Sequence, residues 1–284
     1  MAHPIPVYQA VILGIVQGIT EFLPISSTGH LVLIPRLLHW QDMGLTFDAA
    51  LHTGTLLALL SYFWRDWVGI VRSAAAPFRG KQEANPALGR NLLWGIVIAC
   101  IPAGVAGPLV SGTLDKILQT RTLDLKLMAV VASALAIVGM ILYAADKYGS
   151  KRKRELAQTN LLDWVTIGIA QAAALIPGVS RSGATISAGL FCGLARDTAA
   201  RFSFLLSTPI LLGVAGLGLR KIIKHGLPPG EAAPFAAGVA SSMIVGYLAI
   251  KFLLAYLRRR SVNVFVWYRL GLAAVITAVV ALRV

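Results

Sequence analysis

Charge vanishes from this chain in long blocks instead of alternating with apolar positions. Residues 91–114, 127–145, 202–219 and 232–250 contain no Asp, Glu, Lys or Arg. Each block approaches the ~20 residues with which an α-helix crosses a hydrocarbon layer about 30 Å thick. Two more are interrupted: 47–64 holds Asp48 and His52, and 264–282 holds Arg269. The pattern predicts six spanning helices in an all-α polytopic membrane protein.

Two stretches depart from this pattern. Residues 4–20 are free of charge, Glu21 interrupts, and 22–35 are free again; residues 164–180 are clear, Arg181 interrupts, and 182–195 are clear. Each piece is short for a crossing, and each pair is broken by Pro, Gly, Ser and one charge. Short, interrupted apolar segments in matching positions of two halves predict re-entrant helix pairs at a binding site.

The halves also resemble each other. At an offset of 154, Gly14, Ile15, Gln17, Ser26 and Gly29 fall on Gly168, Ile169, Gln171, Ser180 and Gly183. At an offset of 155, Phe47, Leu51, Thr53, Leu56 and Leu57 fall on Phe202, Leu206, Thr208, Leu211 and Leu212. One inserted residue reconciles the two registers. The expected organisation is a first repeat over 1–146, a basic linker over 147–160 and a second repeat over 161–284. Each repeat is a re-entrant pair followed by three crossings. Three is odd, so the second repeat enters from the opposite face: an inverted-topology repeat whose tips can meet near the midplane.

Composition agrees with a membrane protein, with 57% hydrophobic and 13% charged residues, against roughly a quarter charged in soluble domains. The net charge of +14 does not point to nucleic acid, because the basic residues cluster between apolar blocks. Arg65, Arg72, Arg79, Lys81 and Arg90 form one cluster, Lys147 and residues 151–154 a second, and Arg258, Arg259 and Arg260 a third. All three fall on one side of the predicted topology, which the positive-inside rule makes the cytoplasm. Lys116, Arg121, Lys126, Arg220, Lys221 and Lys224 fall on the other. Cys100 and Cys192, both in apolar stretches, read as small buried hydrophobes.

Ionisable groups at membrane depth are functional candidates by default. The first tip offers Glu21, Ser26, Ser27, Thr28, Gly29 and His30; the second offers Ser180, Arg181, Ser182, Gly183 and Thr185. A guanidinium fork fits phosphate oxygens in a bidentate way, and Ser, Thr and Gly at helix starts make anion sites. Ser27 and His30, three apart, share a helical face, so an imidazole could activate a hydroxyl or protonate a leaving group. Glu21 could act as a base, orient His30 or hold a divalent cation, with Gln17 one turn away. Asp48 and His52, at i and i+4, read as a hydrogen-bonded pair, structural or flanking the site; Asp197 and Arg201 read as an interfacial ion pair.

Two motifs then carry a resemblance. Gln17-x-x-x-Glu21 followed by P-x-S-S-T-G-H, and P-G-x-S-R-S-x-x-T at residues 177–185, resemble those of the bacterial undecaprenyl-diphosphatases of the bacitracin-resistance type (BacA/UppP). The resemblance runs over nearly the whole chain, including F-S-F-L-L at 202–206. It implies a membrane phosphatase that converts undecaprenyl pyrophosphate to undecaprenyl phosphate, recycling the cell-wall lipid carrier. It also implies an inverted repeat, a divalent cation (Mg or Ca) and a site opening to the outer face of the inner membrane. By motif position, Glu21 is the acidic residue and metal ligand, Ser27 the nucleophile, His30 its partner and Arg181 the phosphate clamp. Ser26, Thr28, Gly29, Ser180, Ser182, Gly183 and Thr185 line the phosphate pocket. Gln17 stands where the motif admits Glu or Gln, which leaves Glu21 as the main ligand.

Either Ser27 or an activated water remains as nucleophile. The competing class is a lipid-phosphate flippase or anion transporter, since broken helices in inverted repeats are transporter architecture; the Glu21, Ser27 and His30 set favours the enzyme. The expected partners are the pyrophosphate lipid and membrane lipid, without nucleic acid, and a homodimer is among the assemblies the sequence allows.

Overall fold

A computed structural model describes residues 5–41, 43–79, 86–119, 125–149, 153–227 and 229–282. Its order is α1 (Val7–Phe22), α2 (Ser27–Leu37), α3 (Gly44–Arg79), α4 (Pro86–Gln119), α5 (Leu125–Ala144), α6 (Leu161–Ala173), α7 (Arg181–Phe191), α8 (Arg196–His225), α9 (Ala232–Leu257) and α10 (Asn263–Ala281). A π-turn at Ala145–Gly149 extends α5.

Among the described residues, five helices are long and apolar enough to cross a membrane: Asn91–Val110 within α4, Leu127–Gly149, α8, α9 and α10. The chain is therefore a multi-pass membrane protein, and large apolar side chains such as Leu109, Ile244, Leu248 and Trp267 face outward accordingly. The sixth expected crossing, 47–64, lies in α3. That helix carries Asp48, Arg65 and Asp66 and kinks at Phe63, where φ and ψ are −98° and 17°; its polarity sets it apart from the other five. Of the basic clusters, Lys81, Arg121, Lys151 and Arg152 lie outside the described residues, as do the side chains of Arg79, Arg90, Lys116 and Lys126.

Lipid offers little drive to pull apolar helices together, so close packing requires small residues at the crossings. α1 crosses α9 through Gly14 and Gly18 against Gly238, Ser242 and Gly246. A Cβ at Gly14 would lie 2.0 Å from Ser241 Oγ and 2.5 Å from the Gly238 carbonyl, and one at Gly18 2.8 Å from Gly246 N. α3 enters the same seam: a Cβ on Gly54 would lie 2.4 Å from the Val239 carbonyl, and Ser242 Oγ donates to the Leu51 carbonyl at 2.8 Å. α6 crosses α4 likewise, with Gly168 against the Ala99 carbonyl and Gly95 under the Trp164 indole. Gly14→Val is expected to destabilise the protein by about 1–3 kcal/mol through overpacking, read as a lower midpoint of thermal unfolding in detergent.

The segment between α5 and α6 is more than a loop. Arg154 N donates to the Gly193 carbonyl at 2.8 Å, Ala195 N donates back to Arg154 at 2.9 Å, and the Arg154 guanidinium forks onto Asp163. That pairing raises the Arg154 pKa above that of an ordinary guanidinium. Arg196 closes on Asp146 nearby. The i, i+4 pairing expected of Asp197 and Arg201 does not form: Arg201 turns to Asp66 on α3, and Asp197 faces Arg258 at 3.8 Å. Tertiary partners override the local spacing there. Cys100 and Cys192 are free thiols and only half-buried, so they are less enclosed than the sequence suggests.

Candidate active site

The two short helix pairs, α1–α2 and α6–α7, break in the same way. Each second helix is capped by a serine with positive φ, Ser26 at 75° and Ser180 at 69°. Such backbone is strained by about 1–3 kcal/mol for a residue with a Cβ and persists where surrounding contacts over-determine it. Here the serine hydroxyls accept from the amides of Gly29 (3.4 Å) and Gly183 (3.2 Å). Each serine thus caps the first turn of its helix, and the start of a helix is a place suited to an anion.

The breaks touch each other. Ser182 Oγ donates to the Leu23 carbonyl at 3.0 Å, and Ser180 Oγ in turn hydrogen-bonds Ser182 Oγ at 3.2 Å. Arg181 Nη2 donates to Glu21 Oε1 at 3.0 Å. On its other oxygen Glu21 accepts from Gln17 Nε2 at 3.0 Å and from Ser27 Oγ at 2.8 Å. One buried carboxylate therefore joins the clamp arginine, the candidate nucleophile and the first residue of the motif.

His52 completes the ring. Its Nδ1–H donates to the Asp48 carbonyl at 2.8 Å, and its Nε2 lies 3.6 Å from Glu21 Oε2. The i, i+4 pair read from the sequence is thus a side-chain to backbone bond that aims the imidazole at Glu21.

These groups line a cavity of about 680 Å³. Glu21, Ser26, Ser27, Thr28, His52, Ser180 and Arg181 supply its polar end, while Ala103, Gly104, Leu175, Ile176, Pro209, Ile210, Val214 and Leu217 supply an apolar wall between α4 and α8. A charged head and an apolar body would both find matching surface. Two amide oxygens in the region, Gln17 Oε1 and Gln171 Oε1, and the Arg181 Nη1 group are buried without a hydrogen-bond partner. Buried polar atoms left in that state are costly unless something binds them. Gln171 otherwise donates to the Ala99 carbonyl at 3.2 Å.

Other residues singled out from sequence sit beside the cavity instead of on it. Thr185 Oγ1 donates to the Arg181 carbonyl at 2.8 Å and meets Ser203 Oγ, which braces the first turn of α7. Gly29 and Gly183 are buried N-terminal amide positions. His30 is not brought to Ser27. Its Nδ1–H donates to the Ser26 carbonyl at 2.7 Å, which leaves Nε2 to accept from Tyr268 Oη at 2.7 Å. Its ring stacks on Tyr268, with centroids 5.7 Å apart. Both nitrogens are engaged in the neutral tautomer, so the hydroxyl partner within reach is Glu21. Tyr268 is not singled out by the sequence, and Arg269 reads there only as the interruption of an apolar span, since neither has a motif around it.

A divalent cation fits this donor set only in part. Among the described residues no group of three or more His, Cys, Asp or Glu could hold a metal. Glu21 and the free Gln17 Oε1 offer two hard oxygens, which suits an ion that takes its remaining ligands from phosphate and water.

Residues 10–275 match the family described as "Bacitracin resistance protein BacA". The chain is 47% identical over 277 residues to a protein named undecaprenyl-diphosphatase from Moorella thermoacetica, covering 98% of this chain and 99% of that one. It is 44% identical over 275 residues to one so named from Thermomicrobium roseum, covering 97% and 98%. A third, from Trichlorobacter lovleyi, is 47% identical over 263 residues, covering 93% of each.

Proposed function

The chain belongs to the bacitracin resistance protein BacA family, and from that premise we propose that it is an undecaprenyl-diphosphatase working at the cavity between the two helix breaks. It hydrolyses undecaprenyl pyrophosphate to undecaprenyl phosphate and phosphate, and so returns the lipid carrier to use. The observation that carries the site assignment is the Glu21 carboxylate, hydrogen-bonded at once to Ser27 Oγ and Arg181 Nη2.

The pyrophosphate enters the polar end of the cavity, where Arg181 and the amides of the α2 and α7 first turns receive its oxygens. The free Nη1 of Arg181 is a donor still to be satisfied. Ser27 Oγ, giving its proton to Glu21, attacks the terminal phosphorus; the anhydride bond breaks, and undecaprenyl phosphate leaves carrying the bridging oxygen, which takes that proton from Glu21. Water, deprotonated by the again ionised Glu21, then cleaves the phosphoserine, and Glu21 returns the proton to Ser27 Oγ as phosphate is released. Positioning and charge stabilisation carry most of the rate in phosphoryl transfer. A divalent cation on Glu21 and Gln17 would add neutralising charge at the phosphates. His30 holds the Ser26 carbonyl and thereby the strained cap beneath Ser27.

The frame we propose is the inverted repeat. Its support is the reciprocal packing in which α1 lies on α9 and α6 on α4, the pairing a pseudo-two-fold axis exchanges. The matched positive-φ serines, Ser26 and Ser180, support it too. In that reading α1–α2 and α6–α7 are re-entrant and α3 is the sixth crossing. The cavity wall runs along α8 towards Arg220 and along α4 beyond Cys100. Both directions lead away from the side bearing Arg72, Arg154 and Arg258, which supports a mouth on the outer face of the inner membrane.

The test is phosphate release by the purified protein from undecaprenyl pyrophosphate, with and without added divalent cation, followed by acid quench of a reaction with terminally labelled substrate. Release together with label retained on Ser27 is expected. Ser27→Ala should lose the label and turn over about 100-fold more slowly. Unchanged turnover without label in that variant would hand the attack to water, and no release from the unmodified protein would sink the activity itself.

A further inference from the structure

Arg269 has the largest of the fully buried side chains, at 0% exposure in the middle of α10. An arginine at membrane depth normally pairs with a carboxylate or faces water; among the described residues this one does neither. Its Nη1 donates to the Pro24 carbonyl at 3.1 Å, and its Nη2 to Gly178 (3.2 Å), Val179 (3.1 Å) and Ala134 (3.3 Å). Its Nε donates to the Leu135 carbonyl at 3.1 Å. Every bond ends on a backbone carbonyl, and these belong to both helix breaks and to α5.

The choice of carbonyls is telling. Pro24 and Gly178 are separated by the same 154 residues that superpose the two halves, so one guanidinium reads the same position in each. Unwound carbonyls at broken helices are what transporters use to hold a coupling cation. Here the cation is a side chain of the protein. A Cβ at Gly183 would lie 3.1 Å from Arg269 Nη1, so the α7 start is seated directly on it. The neighbouring Tyr268 Oη holds His30 on the other side of the same helix.

We infer that Arg269 is a positioning residue: an internal cation that staples the two breaks together and thereby sets the contact between Glu21 and Arg181, 2–3 residues away in each chain segment. Its hydrogen bonds reach none of the side chains proposed to meet the substrate. It acts through Pro24, which precedes the Ser26–Ser27 cap, and through Gly178 and Val179, which precede the Ser180–Arg181 cap. A staple of this kind also opposes the separation of the tips that alternating access would need, so it suits a hydrolase with a fixed site.

This inference rests on the proposed phosphatase activity, and the experiment separates the two. Arg269→Ala and Arg269→Lys would be purified beside the unmodified protein, with kcat, KM and thermal unfolding measured for each. If the unmodified protein releases no phosphate, the proposed activity fails and not the staple. Given release, both variants should fold and lose kcat by about 100-fold, the scale of a small misplacement of reacting groups, with KM near its original value. Lysine keeps the charge but has no planar fork to span five carbonyls, so it should not rescue. Guanidinium added at millimolar concentration should restore part of the kcat of Arg269→Ala by filling the vacated position. Near-normal kcat in either variant overturns the inference. So does a folded Arg269→Ala that guanidinium fails to restore, and so does failure of both variants to fold, which would reduce Arg269 to a requirement of the fold.

Discussion

Glu21→Gln is expected to leave a folded protein whose phosphate release falls by about 10³–10⁴-fold, the upper part of the range for losing a positioned base. The substitution preserves size and removes one thing, the negative charge on which the site converges. In the native arrangement Glu21 Oε2 accepts from Ser27 and Gln17, and Oε1 accepts from Arg181. A carboxamide presents one acceptor and one donor to three donors. Gln17 can answer by turning its amide, since its Oε1 is unpartnered. Ser27 fares worse: it loses the carboxylate that takes its proton, both nitrogens of His30 are committed elsewhere, and the Nε2 of His52 is placed against Glu21 Oε2 at 3.6 Å rather than against Ser27 Oγ. Arg181 meanwhile keeps a full charge in a buried place without its counter-ion, which typically destabilises a protein by about 3–5 kcal/mol. The thermal midpoint should therefore drop along with kcat, and any divalent-cation dependence should weaken. Retained turnover in Glu21→Gln would remove Glu21 from the mechanism.

What is legible in the sequence follows from the mark each interaction leaves there. The spans were legible because lipid demands unbroken apolar runs, and the tips because Glu21 and Arg181 have no ordinary reason to lie among Pro, Gly and Ser at membrane depth. The structure gathers Glu21, Ser26, Ser27, Thr28, Ser180 and Arg181 around one cavity, and all six were marked by sequence. The pairing of Ser27 was not legible in detail. Three-residue spacing puts His30 on its face of α2, but the winning partner, Glu21, lies across a break whose geometry depends on the positive φ of Ser26.

Arg269 illustrates the other limit. Its five partners are backbone carbonyls, and a carbonyl looks the same under Pro24, Ala134 or Gly178. No residue type records the contact, so a lone arginine in α10 reads as an interruption. The helix crossings lie between these cases. Gly14 with Gly18, and Gly238 with Ser242 and Gly246, carry the small-residue spacing of close packing, but nothing in the spacing says that α1 seeks α9 and α6 seeks α4. That choice is made by three-dimensional closure of the bundle.

Arg181→Lys is expected to lower kcat/KM by about 10³-fold, the larger end of what removing one fixed oxyanion donor does, although the charge is conserved. Arg181 performs two tasks with two ends of one planar group. Nη2 is spent on Glu21 at 3.0 Å, while Nη1 is buried without a partner at the edge of the cavity. The first holds the base in place beside Ser27; the second remains to meet a phosphate oxygen. Lysine has a single nitrogen on a flexible stem and can serve one of these at a time. If it stays with Glu21, substrate binding weakens and KM rises. If it turns to the phosphate, Glu21 is left beside Ser27 with no fixed orientation, and kcat falls. Arg181→Ala does both, and leaves an uncompensated carboxylate as well, so it should be at least as slow and less stable. The two losses are therefore separable: Arg181→Lys should change kcat and KM, whereas the Arg269 variants should change kcat alone. Arg181→Lys with unaltered kcat/KM would show that the fork geometry is idle, and the phosphate would then have to be held by the helix amides alone.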